Sequence, residues 1–167
     1  MGKYYSEKYI CVDEQAYSGG WTAFMYACIF GHKDVVQLFL DHSDIIELNA
    51  KDNRGWTALI FAMNACLKPK DVVKLFLHHS EKIDFNARDN DGQTVLMLAC
   101  QRARKIIVKL ILEHSERIEL NAKDNNGNTA LMIANQRGHQ GIIQLVKAKL
   151  HPNTRILRKR KFRGHKQ

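Results

Sequence analysis

Apolar and polar positions along the chain recur in four matched blocks. Each block opens on the form Thr-x-[Leu/Phe]-x-x-Ala: Thr22 to Ala27, Thr57 to Ala62, Thr94 to Ala99 and Thr129 to Ala134. Each threonine stands two residues after a glycine, and those glycines, Gly20, Gly55, Gly92 and Gly127, are spaced by 35, 37 and 35 residues. A second apolar cluster follows in every block: Val35-Val36 with Leu38 to Leu40, Val72-Val73 with Leu75 to Leu77, Ile107-Val108 with Leu110 to Leu112, and Ile142-Ile143 with Leu145-Val146. Self-similarity at such a period marks one supersecondary unit repeated four times.

The unit reads as turn, helix, break, helix. Asp52-Asn53-Arg54-Gly55, with copies at 89–92 and 124–127, places Asp first and Gly last, the chemistry of a type I β-turn. The threonine that follows has a hydroxyl suited to cap the open amides of a short, Ala-rich helix of about nine residues. Gly31-His32, Gly138-His139 and the longer Lys68-Pro69-Lys70 break that helix. The next helix has apolar offsets 0, +1, +3 and +4, wider than one stripe, and so must lie between neighbours. A single hairpin of this kind cannot bury its own apolar faces, and stability has to come from stacking. The column Leu40, Leu77, Leu112 becomes Lys147 in the fourth copy, as expected of a repeat with nothing stacked beyond it.

Turn, Thr-x-Leu helix, Gly-His break, Val-Val-x-Leu helix and Asn-Ala-Lys-Asp return together resemble the ankyrin repeat. The resemblance covers residues 16–151 and implies an all-α solenoid of four helix-turn-helix repeats with β-turn or hairpin connectors. Its repeats fall at about 16–48, 49–85, 86–120 and 121–151. Residues 1–15 then form an N-terminal segment, either a divergent cap in which Tyr4, Tyr5, Tyr9 and Ile10 cover the first repeat or a truncated repeat. Residues 152–167 form a basic tail. The family's Thr-Pro-Leu-His is replaced by Thr-Ala-Phe-Met, Thr-Ala-Leu-Ile, Thr-Val-Leu-Met and Thr-Ala-Leu-Met, so both the proline and the turn-bonding histidine are lost. The copies also exceed the usual length of about 33 residues, and the additions fall at 43–48, 80–85 and 115–120.

Charge separates body from tail. The 167-residue chain has a formal charge of +9, and residues 151–167 hold seven Lys and Arg with no acid. Residues 1–150 keep 19 basic against 17 acidic residues, +2, so the basicity belongs to an appendage. The run Arg158, Lys159, Arg160, Lys161 reads first as an import-type cluster recognised by an import receptor, and second as an anchor for nucleic acid or an anionic membrane. A solvated tail is the plain reading of the same run. The longest apolar runs fall far below the roughly 18 residues of a membrane-spanning helix. Four cysteines without CxxC pairing and an N-terminus without an apolar leader core point to a reduced cytoplasmic or nuclear protein.

No P-loop, HExxH, GxSxG or GxGxxG pattern occurs, and no enzyme, metal or cofactor is expected. His42-Ser43, His79-Ser80 and His114-Ser115 recur, but equivalent points on stacked helices lie roughly 8–10 Å apart, too far for two imidazoles that each need about 2.1 Å to one zinc. Cys28 and Cys100 share a repeat position and read as packing residues. Met25, Met97 and Met132, with Ile60, read as core.

The resemblance implies that a partner protein is gripped by the turn tips and the exposed face of the first helices. The positions after the turn glycine are Trp21, Trp56, Gln93 and Asn128, and the first helices end on Phe30, Arg102 and Arg137 at corresponding places, with Arg54 at a turn tip. Aromatic groups gather in repeats one and two, polar and basic ones in three and four. Aromatic side chains at such an edge become binding anchors or shield the hairpin stem. The resemblance further marks Asn49, Asn86 and Asn121, each after an acidic-apolar pair, as targets of asparaginyl hydroxylation; the plainer reading is that their amides bridge turn backbone. The function expected is that of a monomeric scaffold or adaptor binding a protein or peptide segment. The rival is a nucleic-acid- or membrane-associated protein dominated by its tail, which the nearly neutral body disfavours.

Overall fold

The computed structural model describes residues 19–65 and 68–151. Its helices are α1 (Ala23–Phe30), α2 (Lys33–Asp41), α3 (Ala58–Met63), α4 (Pro69–His78), α5 (Val95–Gln101), α6 (Lys105–Glu113), α7 (Ala130–Gln136) and α8 (Gln140–Leu150), with a 3-10 turn at Ser115–Arg117. Among the described residues there is no strand, and bridge pairing is limited to one isolated antiparallel bridge, Lys51 to Thr57. The all-α, four-repeat architecture is as the pattern required.

The helices begin where the threonines stand. Thr22, Thr94 and Thr129 are extended, and their hydroxyls accept the amide N–H of Met25, Met97 and Met132 at 3.3, 3.5 and 3.3 Å. Thr57 makes no such cap bond. The Met25 and Met97 sulfurs accept the backbone N–H of Thr22 and Thr94 in return, so methionine fills the place of the acidic residue in a capping box. The first helices run 8, 6, 7 and 7 residues, shorter than the nine expected. They stop early because the chain must turn back within one or two residues; at Gly31 it does so in the left-handed region, with N–H bonds to the Ala27 and Cys28 carbonyls.

The helices fall into two compact units, one ending at Asn90 and the other starting at Asp91. In the first, α1 packs on α3 and α2 on α4, while α1 with α2 and α3 with α4 close each hairpin; the second repeats this with α5 to α8. The turns are in register as well. Asn53 N–H donates to the Gly19 carbonyl and Asn90 N–H to that of Arg54 in the first unit, and Asn125 N–H donates to that of Asp91 in the second, each at 3.0 Å.

Phe24, Met25, Cys28, Leu59, Ile60, Val73 and Phe76 form the dry interior of the first unit, where Phe24 stacks on Phe76 at 5.5 Å and meets Phe39 at 5.2 Å. Leu96, Met97, Val108, Ile111, Ala134 and Val146 do the same in the second. Two expectations about burial need correction. The sandwiched second-helix pattern holds for α4, where Val72 is fully buried, but its counterpart Val35 is 45 % exposed and Leu38 on the same helix 59 %. No described residue lies on the outer side of α2 to cover them. Likewise Met132 is 46 % exposed although Met25 and Met97 are buried, because its column has no further repeat against it among the described residues. Lys147 is exposed, in keeping with its place at the end of the leucine column.

Candidate functional site

The turn between repeats one and two organises the residues of greatest chemical interest. Asp52 has a fully buried carboxylate. Its Oδ1 accepts the N–H of Arg54 at 2.9 Å and of Trp56 at 2.8 Å, and its Oδ2 accepts Nε–H of Arg54 at 3.0 Å. Gly55 N–H closes the β-turn on the Asp52 carbonyl at 2.9 Å. Asp124 repeats the device: its Oδ1 takes Asn126 N–H at 3.0 Å and Asn128 N–H at 2.7 Å. The turn is thus latched by a carboxylate in a chain that has lost the family's histidine, and bonds to a charged acceptor are the stronger kind.

The Asp52 latch aims the Arg54 guanidinium. Its Cζ lies 3.9 Å from the Trp56 ring centroid and 5.8 Å from those of Trp21 and Phe61. Phe61, buried, forms the floor, with Trp21 edge-on at 4.5 Å and Trp56 at 5.8 Å. From Trp21 the contacts continue to Tyr26 at 5.1 Å, from Tyr26 to Phe30 at 6.4 Å and from Phe30 to His32 at 6.1 Å. Trp21, Tyr26 and Trp56 are half-buried and Phe30 is 51 % exposed. The result is a ledge of touching rings with a cation stacked at one end, where cation–π contacts are worth about 0.5–2 kcal/mol.

Of the eight positions expected on a binding surface, Trp21, Phe30, Arg54 and Trp56 come together here. Gln93, Arg102, Asn128 and Arg137 belong to the second unit. Asn128 is tied to Asp124 and accepts from Gln136 Nε2 at 3.2 Å. Gln93 and Arg102 are half-buried, and Arg137 is exposed at the end of α7. Tyr26 and Phe61 were not singled out from the sequence. The signal was present, since both occupy the position before the motif alanine, where repeats three and four carry Leu98 and Ile133.

Asn49 bridges neighbouring repeats instead of its own turn, donating from Nδ2 to the Lys82 carbonyl at 3.1 Å and accepting from Asp84 N–H at 2.9 Å. Asn86 is half-buried and Asn121 exposed. Arg158, Lys159, Arg160 and Lys161 lie outside the described residues, as do Tyr4, Tyr5, Tyr9 and Ile10.

Two of the recurrent histidines, His42 and His79, have side chains engaged at helix ends. His42 Nδ1 lies 2.9 Å from the Leu38 carbonyl, and His79 Nε2 lies 3.2 Å from Gln37 Nε2 and 3.7 Å from Asp41 Oδ1. Among the described residues no group of His, Cys, Asp and Glu is arranged to hold a metal ion. Burial pushes the Cys28 thiol well above its ordinary range and that of Cys100 up to about 12, so both stay neutral and unreactive. No described helix is long and apolar enough to cross a membrane.

Comparison with known proteins places this geometry in context. A family model described as ankyrin repeats, in three copies, matches residues 6–89 and again 63–156. No curated protein matches the sequence.

Proposed function

The chain belongs to the ankyrin-repeat family, and from that premise we propose that it acts as a noncatalytic, monomeric protein-interaction scaffold. Its binding surface is the aromatic ledge of the first unit, which takes a segment of another protein. The observation that carries this reading is the exposed Phe30 at the end of a continuous run of rings that reaches Trp21 and Trp56. Rigid aromatic anchors of this kind concentrate binding energy at interfaces. The second unit carries its own first-helix ends, Arg102 and Arg137, which are polar and basic where the first unit is aromatic.

The test is an affinity measurement on a partner first found by proximity labelling and then purified. Phe30→Ala with Trp56→Ala should weaken it at least tenfold while the circular dichroism spectrum and unfolding midpoint stay near those of the parent. An unchanged affinity in a folded double variant refutes the ledge.

The tail carries a separate role. Seven basic residues without an acid after residue 150 suit an import receptor and locate the protein in the cytoplasm and nucleus. A reporter fused to residues 151–167 should accumulate in nuclei; even distribution through the cell removes that role.

A further inference from the structure

Arg54 is built to receive a second acid. A guanidinium offers five N–H donors on two edges. Among the described residues, the hydrogen bond it makes is the single Nε contact to Asp52, while its side chain is 51 % exposed. Neither Nη group makes a hydrogen bond among the described residues, on a guanidinium held by its contact with Trp56 and by the buried Asp52 carboxylate. Such an edge matches a carboxylate bidentately and with little further ordering cost.

The surroundings set the sign of the partner. From Gly19 to Gly31 and from Gly55 to Ala65 no residue carries a formal charge. The Asp52 carboxylate is fully buried and committed to three donors. Of the residues that form the ledge, the one with an accessible formal charge is thus Arg54. A basic segment would meet repulsion at Arg54, and a fully apolar one would cover its uncommitted Nη donors without giving them acceptors, which costs free energy.

We propose that the ledge selects an extended segment in which a carboxylate side chain sits next to an aromatic or large aliphatic residue, the carboxylate pairing with the Nη edge of Arg54 and the apolar side chain lying on Trp21, Tyr26 and Phe30. This rests on the reading of the ledge as a protein-binding surface. The steps from Arg54 to Trp21, Trp21 to Tyr26 and Tyr26 to Phe30 are 5.8, 5.1 and 6.4 Å. About five extended residues, at roughly 3.3 Å each, span them, so acid and apolar anchor fall within that window.

The experiment is selection of a displayed random 12-residue peptide library on the full chain, followed by synthesis of enriched peptides in acidic and amide forms. Enriched sequences should pair Asp or Glu with Phe, Tyr, Trp or Leu within five positions. Asp→Asn in the peptide should cost at least tenfold in affinity on the parent chain, and less than twofold on Arg54→Gln. Arg54→Lys, which keeps charge but not the planar fork, should fall between. An enriched consensus without an acid, or equal binding of the acidic and amide peptides to the parent, overturns the proposal and leaves the ledge as a binding surface. Persistence of the acid preference in Arg54→Gln also overturns it, assigning that preference to other cations such as the tail. Failure to enrich any peptide that depends on Phe30 and Trp56 overturns both the proposal and the ledge reading. The parent-chain peptide pair decides the matter even if Arg54→Gln does not fold.

Discussion

Gly55 and Gly127 occupy the same place in their turns, yet a methyl group added to them should have very different consequences. Both sit in the left-handed region, at φ +78° and +79°, so Gly→Ala at either position carries a backbone strain of about 1–2 kcal/mol. At Gly127 nothing lies within 4 Å of the new Cβ. At Gly55 the Cβ would stand 2.8 Å from Asp89 Cα and 2.9 Å from Asn90 N. These are backbone atoms of the next turn, held by the 3.0 Å bond from Asn90 N–H to the Arg54 carbonyl, and they cannot step aside without breaking the register of the stack. Overpacking of this kind adds about 1–3 kcal/mol. Gly127→Ala should therefore lose about 1–2 kcal/mol and Gly55→Ala about 2–5 kcal/mol. Equilibrium urea unfolding followed by circular dichroism gives both values. Tryptophan fluorescence isolates the first unit, since Trp21 and Trp56 both lie within it. Equal losses, or a larger loss at Gly127, would show that the turns are not packed on one another as described.

Three further outcomes follow from the same geometry. Ala103 holds φ +55° where the first and fourth repeats place Gly31 and Gly138; Ala103→Gly should raise stability by up to about 1 kcal/mol, read as a higher urea midpoint. Asp124→Ala strips the acceptor from the Asn126 and Asn128 amides and should cost roughly 1–3 kcal/mol in the same assay. Cys28 and Cys100 have thiol pKa values raised in the fold, the latter to about 12, so unfolding releases protons at alkaline pH. The Cys100 contribution is intact below the thiol's unfolded value and is lost as pH rises from there toward 12, by about 1.4 kcal/mol per pH unit, and Cys28 acts in the same direction. Cys→Ser at both positions should flatten that decline in urea titrations between pH 8 and 10, and the native thiols should react with a disulfide reagent only as fast as the chain opens.

What the amino-acid sequence determined by itself was the repeat and nearly everything periodic within it. Threonines at helix starts, breaks after the first helix and paired apolar clusters act over three or four residues, where hydrogen-bond reach and helical pitch leave few alternatives, and the pattern recurs in four copies. The latch at Asp52 escaped that reading because an aspartate opening a β-turn is ordinary; only the fold buries its carboxylate and turns it on Arg54. Trp21 and Trp56 were legible as unusual, yet the sequence left open whether they bind or shield; the stack rests each on Phe61 with part of its surface uncovered. Tyr26 and Phe30 lie one turn apart on α1, but Arg54 stands well beyond them in the chain and joins their ring run only when α1 packs on α3. The exposure of Val35, Leu38 and Met132 was likewise invisible to periodicity, which records that a side chain is apolar but not whether a neighbour stands beyond it. Local pattern fixed which residues form helices because those forces are local; tertiary contact decided which rings meet and which cation caps them, because that depends on the registry between repeats.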